Sequence, residues 1–309
     1  MSDLPDAVGV LGAGLVGRSW AALYAARGLR VVVVDPDPAA EAALRAFLPG
    51  ALEDLAALGL ALAAPTAPAF ATDPAALSGL SFVQENGPDR LEAKRALLAE
   101  AERWVAEDAV LASSTSSLLP SDIQAGLARP ERLLVAHPMN PPHLVPMVEL
   151  VAGRLTAPET LERAAAFYEA HGRVVIRVAR EVVGHLANRL TSALYREAVH
   201  CVAEGIATVE DVDRAIAHGP GLRWALMGPH AIYHLGGGAG GYRAYLDHLG
   251  PTQEARWAEH GTPSLTPALK DALVAGVEEE LAGEDPEALA RRRDAALVAL
   301  LTLKARHGF

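Results

Sequence analysis

The chain has 309 residues, 51% of them hydrophobic and 21% charged, so it can bury a large core. Its length suggests about two domains. A formal net charge of -11 repels phosphates, which argues against nucleic acid or an anionic membrane surface as a partner. The lone cysteine, Cys201, excludes an intramolecular disulfide framework and agrees with a reducing compartment. The first residues carry acids where a secretory signal would carry bases, and no run is apolar enough to span a bilayer. A cytoplasmic soluble protein is the expectation.

In chain order, residues 7–12 form a short apolar run ending in glycine, and residues 31–34 form a second that ends at Asp35. The alanine-rich stretch between them, residues 15–27, predicts a helix. The start of the chain therefore reads as strand, glycine-rich turn, helix, strand. Further strands are predicted at residues 81–84, 109–112, 133–136 and 147–151, with helices between most of them, notably over residues 91–105. Such alternation predicts a mostly parallel sheet covered on both faces. The pattern changes near residue 178. Leu186, Leu190, Leu194, Ala198 and Val202 recur at every fourth position, which suits one face of a long helix, and residues 267–306 also read as mostly helix. The predicted architecture is an α/β Rossmann-type doubly wound sheet in residues 1–180, followed by an all-helical C-terminal domain in residues 181–309. Residues 61–71, biased toward alanine and proline, are too short to be an interdomain linker.

Gly12-Ala13-Gly14-Leu15-Val16-Gly17 fits G-x-G-x-x-G between a strand and a helix. The first glycine permits the tight turn, the second lets the backbone approach a pyrophosphate, and the third lets the helix pack closely on the strand. The motif alone is a weak signal, and a glycine turn can serve packing only. Asp35, at the end of the second strand, adds a carboxylate where both ribose hydroxyls would be accepted. That carboxylate would repel a 2′-phosphate, and Pro36, Asp37 and Pro38 bring no arginine, so NAD is expected rather than NADP.

Three later segments carry candidate chemistry. Residues 113–117, a run of serines around Thr115, follow a strand whose carboxyl end faces the ligand crevice of a doubly wound sheet. Ser117 or Ser121 can instead cap the helix near residue 122. His137 ends another strand, before Pro138 and a proline-rich turn. It is a proton acceptor for an alcohol that loses hydride, or a structural histidine of that turn. If residues 133–136 and 147–151 pair as a hairpin, the Glu149 carboxylate reaches the far nitrogen of that ring and fixes its tautomer. Asn188, near the start of the long helix, matters only in company with these groups.

Together these residues resemble the L-3-hydroxyacyl-CoA dehydrogenase family, in order and spacing from residue 8 to about residue 230. The resemblance implies that His137 is the catalytic base and Glu149 its orienting partner. It makes Ser116 and Asn188 polar contacts to the reacting oxygen, and it places Asn140 beside the nicotinamide. Gly12, Gly14, Leu15, Val16, Gly17 and Asp35 would bind the cofactor, with Asp89 and Lys94 near it. The family more often has glutamate where Asp89 stands, and phenylalanine where His185 stands. No metal is expected, and the resemblance implies a homodimer formed through the helical domain.

Within the family, Gly219-Pro220-Gly221-Leu222-Arg223-Trp224-Ala225 looks like a segment of the L-gulonate 3-dehydrogenase (λ-crystallin) and L-carnitine dehydrogenase groups. Arg223 would then grip a substrate carboxylate in bidentate fashion, unless it serves an ordinary ion pair. No lysine or arginine lies between Arg45 and Arg90, whereas Glu53, Asp54 and Asp73 do. That neighbourhood disfavours the anionic coenzyme A by about a kcal/mol per exposed like-charge contact. The expected reaction is NAD-dependent oxidation of the 3-hydroxyl of a small L-3-hydroxy acid, gulonate-like or carnitine-like, to the 3-keto acid. The alternatives are a short-chain L-3-hydroxyacyl-CoA dehydrogenase and a non-catalytic NAD-binding protein, structural or redox-sensing. A lysine-based 6-phosphogluconate-like mechanism is disfavoured, because none of the three lysines, Lys94, Lys270 and Lys304, opens the long helix.

Overall fold

Strand β1 (Ala7–Leu11) shows how the sheet is held from both sides. Val8 and Val10 enter one core with Trp20, Tyr24 and Leu44, while Ala7 and Leu11 enter the other with Leu77, Leu98 and Ile123. The same two-residue period separates Val31 and Val33 from Val32 and Val34 along β2 (Arg30–Val34). Strands buried on both faces read as unbroken apolar runs, which is why the sequence marks these two so clearly. The structure is a computed structural model that describes residues 4–309.

Two compact units make up the chain, the first ending at Arg189 and the second spanning Leu190–Phe309. In the first, β1 leads through α1 (Leu15–Ala26) to β2, then to α2 (Ala40–Ala57), β3 (Ala69–Ala71), β4 (Phe82–Glu85) and α3 (Leu91–Glu102). There follow β5 (Val110–Ser113), α4 (Pro120–Gln124), β6 (Leu133–Pro138), β7 (Met147–Ala152), α5 (Pro158–Ala170) and β8 (Val174–Val178). The strands form one sheet in the order β3-β2-β1-β4-β5-β6-β7-β8. Every pairing is parallel except that of β6 with β7. The chain winds outward from β1 in one direction and from β4 in the other. Their carboxyl ends therefore flank the switch point, where doubly wound folds bind ligands.

Neither β3 nor β8 was marked in the sequence. The first is a three-residue Ala-Phe-Ala strand, poor in β-branched residues, and the second lies at the sheet edge with Val174 54% exposed. One core face is aromatic: Trp20 stacks on Tyr24, and Phe82 on Phe167. In its midst the buried Gln84 accepts hydrogen bonds from the hydroxyls of Tyr24 and Tyr168, whereas the buried Trp20 indole N–H has no partner among the described residues.

Helix α6 (Ala187–Ala203) begins at the end of the first unit, and Leu186 stands before its first turn rather than on it. The second unit continues with α7 (Val209–His218), α8 (Pro220–Trp224), α9 (Pro229–Gly236), α10 (Gly241–Glu259), α11 (Pro267–Leu281) and α12 (Pro286–His307). Its helices start on clear local signals. Thr208, Thr266 and Asp285 each accept a backbone N–H of the first turn, and Pro stands at the start of α8, α9, α11 and α12. The helical run after residue 267 is split because Ala282 and Gly283 both take the left-handed conformation. Among the described residues of this unit only Val199, Gly241 and Tyr245 are buried, and the apolar stripe of α6 is open at Leu190 and Leu194.

Candidate active site

The three glycines after β1 have separate jobs. Gly12 has φ +95°, and a β-carbon there would lie 2.9 Å from the Asn86 carbonyl oxygen. A β-carbon on Gly17 would lie 1.8 Å from the Gly12 oxygen, so α1 can cross β1 only at a glycine. A β-carbon added at Gly14 would meet nothing within 4 Å. The fold itself does not need that glycine, and the open space in front of it adjoins the unpaired amides that begin α1, a place suited to a pyrophosphate.

Asp35 follows β2 and pins this turn. Its Oδ2 accepts the Ala13 N–H at 2.7 Å and its Oδ1 the Asp37 N–H at 3.0 Å. Each oxygen keeps a lone pair for a ribose hydroxyl. The free space at Gly14 and the placed carboxylate fit a dinucleotide without a 2′-phosphate. Leu15 is exposed at the helix start, whereas Val16 faces the adjoining cavity.

That cavity, of about 360 Å³, opens at the carboxyl ends of β1, β4, β5 and β6. Its wall brings together Ser116, His137, Asn188, Asn140, Asp89 and Lys94. His137 and Glu149 face each other across the antiparallel pair β6–β7, where opposed side chains share one face of the sheet. The ring Nδ1 lies 2.8 Å from Glu149 Oε2. A carboxylate can only accept, so Nδ1 carries the hydrogen and Nε2 keeps its lone pair.

The other Glu149 oxygen accepts two backbone amides, Leu186 N–H at 2.9 Å and Ala187 N–H at 2.7 Å, where α6 begins. Burial alone would raise the Glu149 carboxyl. The bond from His137 and these two amides outweigh it, and the group is held below the usual carboxylate range. A fixed anion behind the ring is an arrangement that can support proton transfer at Nε2.

The serine run forms a second wall. Asp89 binds the hydroxyls of Thr115, Ser116 and Ser117 together, at 3.0 Å and 3.1 Å for the two serines. Burial would raise its carboxyl, but the Thr115 and Ser116 hydroxyls and the nearby Lys94 ammonium lower it. Asn188 donates to the Ser116 carbonyl at 3.4 Å. The capping reading fails: α4 has Leu119 at its N-cap and no side-chain cap, since Ser117 serves Asp89 and Ser121 binds Glu181 at 2.6 Å. All three hydrogens of Lys94 are occupied by both oxygens of the buried Glu85 and by the Gly87 carbonyl. Lys94 thus shapes the wall through Glu85. Asn140 is exposed at the rim, on a loop held by Ser19 bonding to His143 at 2.8 Å and by Arg173 bonding to the Pro142 carbonyl. Arg223, in the second unit, ends α8 with an exposed side chain that has no hydrogen bond or ion pair among the described residues.

Sequence reasoning passed over Glu85, Asn86 and the part played by the amides of residues 186 and 187. Glu85 ends β4, the other strand of the switch point, and Asn86 follows it; that position was the available signal. A carboxylate bound by backbone amides leaves no mark in side-chain identity.

Both units match known proteins. The NAD-binding domain of 3-hydroxyacyl-CoA dehydrogenase matches residues 7–182, and the C-terminal domain of that family matches residues 184–267. The chain is 44% identical to L-carnitine dehydrogenase of Nocardiopsis dassonvillei over 295 residues, 95% of this chain and 90% of that protein. It is likewise 44% identical to L-carnitine dehydrogenase of Streptomyces coelicolor over 303 residues, 97% of this chain and 95% of that protein. The solved structure of 5-formyl-3-hydroxy-2-methylpyridine 4-carboxylic acid 5-dehydrogenase, an NAD+-dependent dismutase, superposes with a TM-score of 0.85 at 30% identity, over 98% of this chain and 99% of that one. With family matches in both units and relatives 44% identical over nearly the whole chain, the chain belongs to the 3-hydroxyacyl-CoA dehydrogenase family and is an NAD-dependent oxidoreductase acting on a CH–OH group.

Proposed function

We propose that the protein oxidises the 3-hydroxyl of a small, free L-3-hydroxy acid, with L-carnitine as the first choice, and that His137 is the base. The observation that carries the assignment is the His137–Glu149 pair at the cavity wall, its carboxylate anchored by the amides of Leu186 and Ala187. His137 Nε2 takes the hydroxyl proton as the C–H bond breaks, and Glu149 stabilises the imidazolium. Ser116 and Asn188 orient the reacting oxygen. When bound, NAD would supply the hydride acceptor; Gly12, Gly14, Leu15, Val16 and Gly17 would hold it, with Asp35 for a ribose hydroxyl and Asn140, Asp89 and Lys94 near it. Arg223 is assigned to the substrate carboxylate on its chemistry and free charge alone.

Carnitine is favoured over a CoA ester because the relatives above bear that activity in their names and because α2 carries Glu53 and Asp54 with no basic residue beyond Arg45. A homodimer is part of the proposal. The open stripe of α6 borders a groove of about 510 Å³ lined by Leu194, Tyr195, Ala198 and Ile216, a suitable seat for apolar side chains of a second copy.

The test is NADH formation with L-carnitine, L-gulonate, 3-hydroxybutyrate and 3-hydroxybutyryl-CoA. The expected preference is for L-carnitine, and a preference for the CoA ester would overturn the substrate assignment. His137→Gln should keep NAD affinity and lose turnover by about a thousandfold. Retained turnover would remove His137 from its role.

A further inference from the structure

His185 sits in the turn between Gly184 and α6 at φ +48°, a conformation that disfavours any residue with a β-carbon. The side chain is 0% exposed, so the strain is held by what surrounds the ring. Its Nε2 lies 3.1 Å from the Thr115 carbonyl oxygen. A carbonyl only accepts, so Nε2 carries the hydrogen and Nδ1 keeps a lone pair. That Nδ1 is buried and has no hydrogen-bond partner among the described residues. The ring packs on His137 with centroids 5.4 Å apart.

This arrangement joins three parts of the site. The turn's amides hold Glu149, its His185 holds the backbone of Thr115, and Asn188 holds the next carbonyl, Ser116. A phenylalanine, which the family resemblance leads one to expect here, would fill the space without bonding Thr115. We propose that His185 is a positioning residue whose neutral ring seats the Thr115–Ser116 backbone against His137, and that a proton added at its buried, acceptor-less Nδ1 displaces the ring even though Nε2–H remains, so that oxidation needs two neutral imidazoles instead of one. The inference rests on the reading of His137 as the base.

The charges around His185 bear on this in both directions. Burial lowers its affinity for a proton and the neighbouring His137 on β6 adds to that, while the Thr115 carbonyl, Glu149 on β7 and Asp89 before α3 oppose it. The balance holds the ring below the ordinary imidazole value. Protonation would create a buried Nδ1–H with no acceptor, beside the ring that must receive the substrate proton.

The test is the pH dependence of kcat/KM for L-carnitine oxidation, from about pH 5 to about pH 9, in the natural protein, His185→Gln and His185→Phe. The acid limb of the natural enzyme should approach a limiting logarithmic slope of about two, one for each imidazole. His185→Gln keeps an N–H for Thr115 and cannot titrate. It should retain kcat within about threefold at high pH and show a slope of about one. His185→Phe should lose about tenfold in kcat with NAD affinity unchanged. A slope of one in the natural enzyme, an unchanged slope in His185→Gln, or full kcat in His185→Phe would overturn the proposal. If His185→Phe does not fold, the other two proteins decide. Should no hydroxy acid give NADH, the functional reading fails by itself, and histidine proton–carbon NMR still reads the neutral clamp. The resonance lost in His185→Gln should titrate below the ordinary value of 6.5, and a midpoint at that value would overturn it.

Discussion

The two units of the chain differ most in what they bury. The first packs Trp20, Tyr24, Phe82, Phe167 and Tyr168 with no more than 1% exposure around a sheet covered on both faces. The second has seven helices, α6 to α12, yet among its described residues only Val199, Gly241 and Tyr245 are buried. Helices gain most of their stability from packing an apolar face, and conformational entropy of about 1–2 kcal/mol per residue opposes them. The first unit meets that cost within one chain. The second reads as half of a core, which supports the homodimer proposed above.

Three experiments can break or sharpen this contrast, from the largest effect to the smallest. Trp20→Ala should destabilise the protein by about 3–5 kcal/mol in denaturant unfolding, since the cavity lies in a close-packed core. Trp257→Ala, at a site 61% exposed in the single chain, should change stability by less than about 0.5 kcal/mol. Equal effects would erase the contrast. Leu194→Glu comes second. If a second copy covers α6, the variant should lose at least about 2 kcal/mol and sediment as a monomer. If the stripe is wet, as in the single chain, the change should be near zero and the sedimentation unaltered.

The smallest effect concerns pH. Burial holds the His171 imidazole below its ordinary value, with the Phe167 carbonyl opposing. The unfolded chain therefore takes up a proton first as pH falls. Stability from this group is complete above about 6.5 and is lost as pH drops through the folded value. Asp89 and Glu149, also lowered, contribute above their ordinary values of 3.8 and 4.5 and are lost at still lower pH. Thermal scans should show Tm declining in two stages, and His171→Phe should flatten the first by about 2 °C. A single stage below about pH 4 would contradict the assignment.

Much of the first unit was legible because its signals are local. Doubly buried strands, the glycine turn, Asp35 and the facing pair His137 and Glu149 all follow from period and spacing. What escaped depends on distant backbone. Nothing near Asp89 announces that it gathers three hydroxyls from residues 115–117, and nothing near Lys94 announces that Glu85 and Gly87 take all its hydrogens. The turn at His185 was hidden for another reason. A four-residue apolar spacing runs through Leu186 as if the helix began there, while the positive φ at His185 delays its start to Ala187. In the second unit the spacing was read correctly as a helix face, but spacing alone does not say what covers it.

The open space at Gly14 divides folding from ligand recognition within a single hexapeptide. With φ -64° and ψ -171° this position suits any L-residue, and nothing stands within 4 Å to resist a β-carbon. A chain altered there should fold and melt like its parent while its side chain entered the place proposed for the pyrophosphate. If the proposed homodimer forms, mixing such a cofactor-blind subunit with the natural chain would report whether each copy turns over on its own.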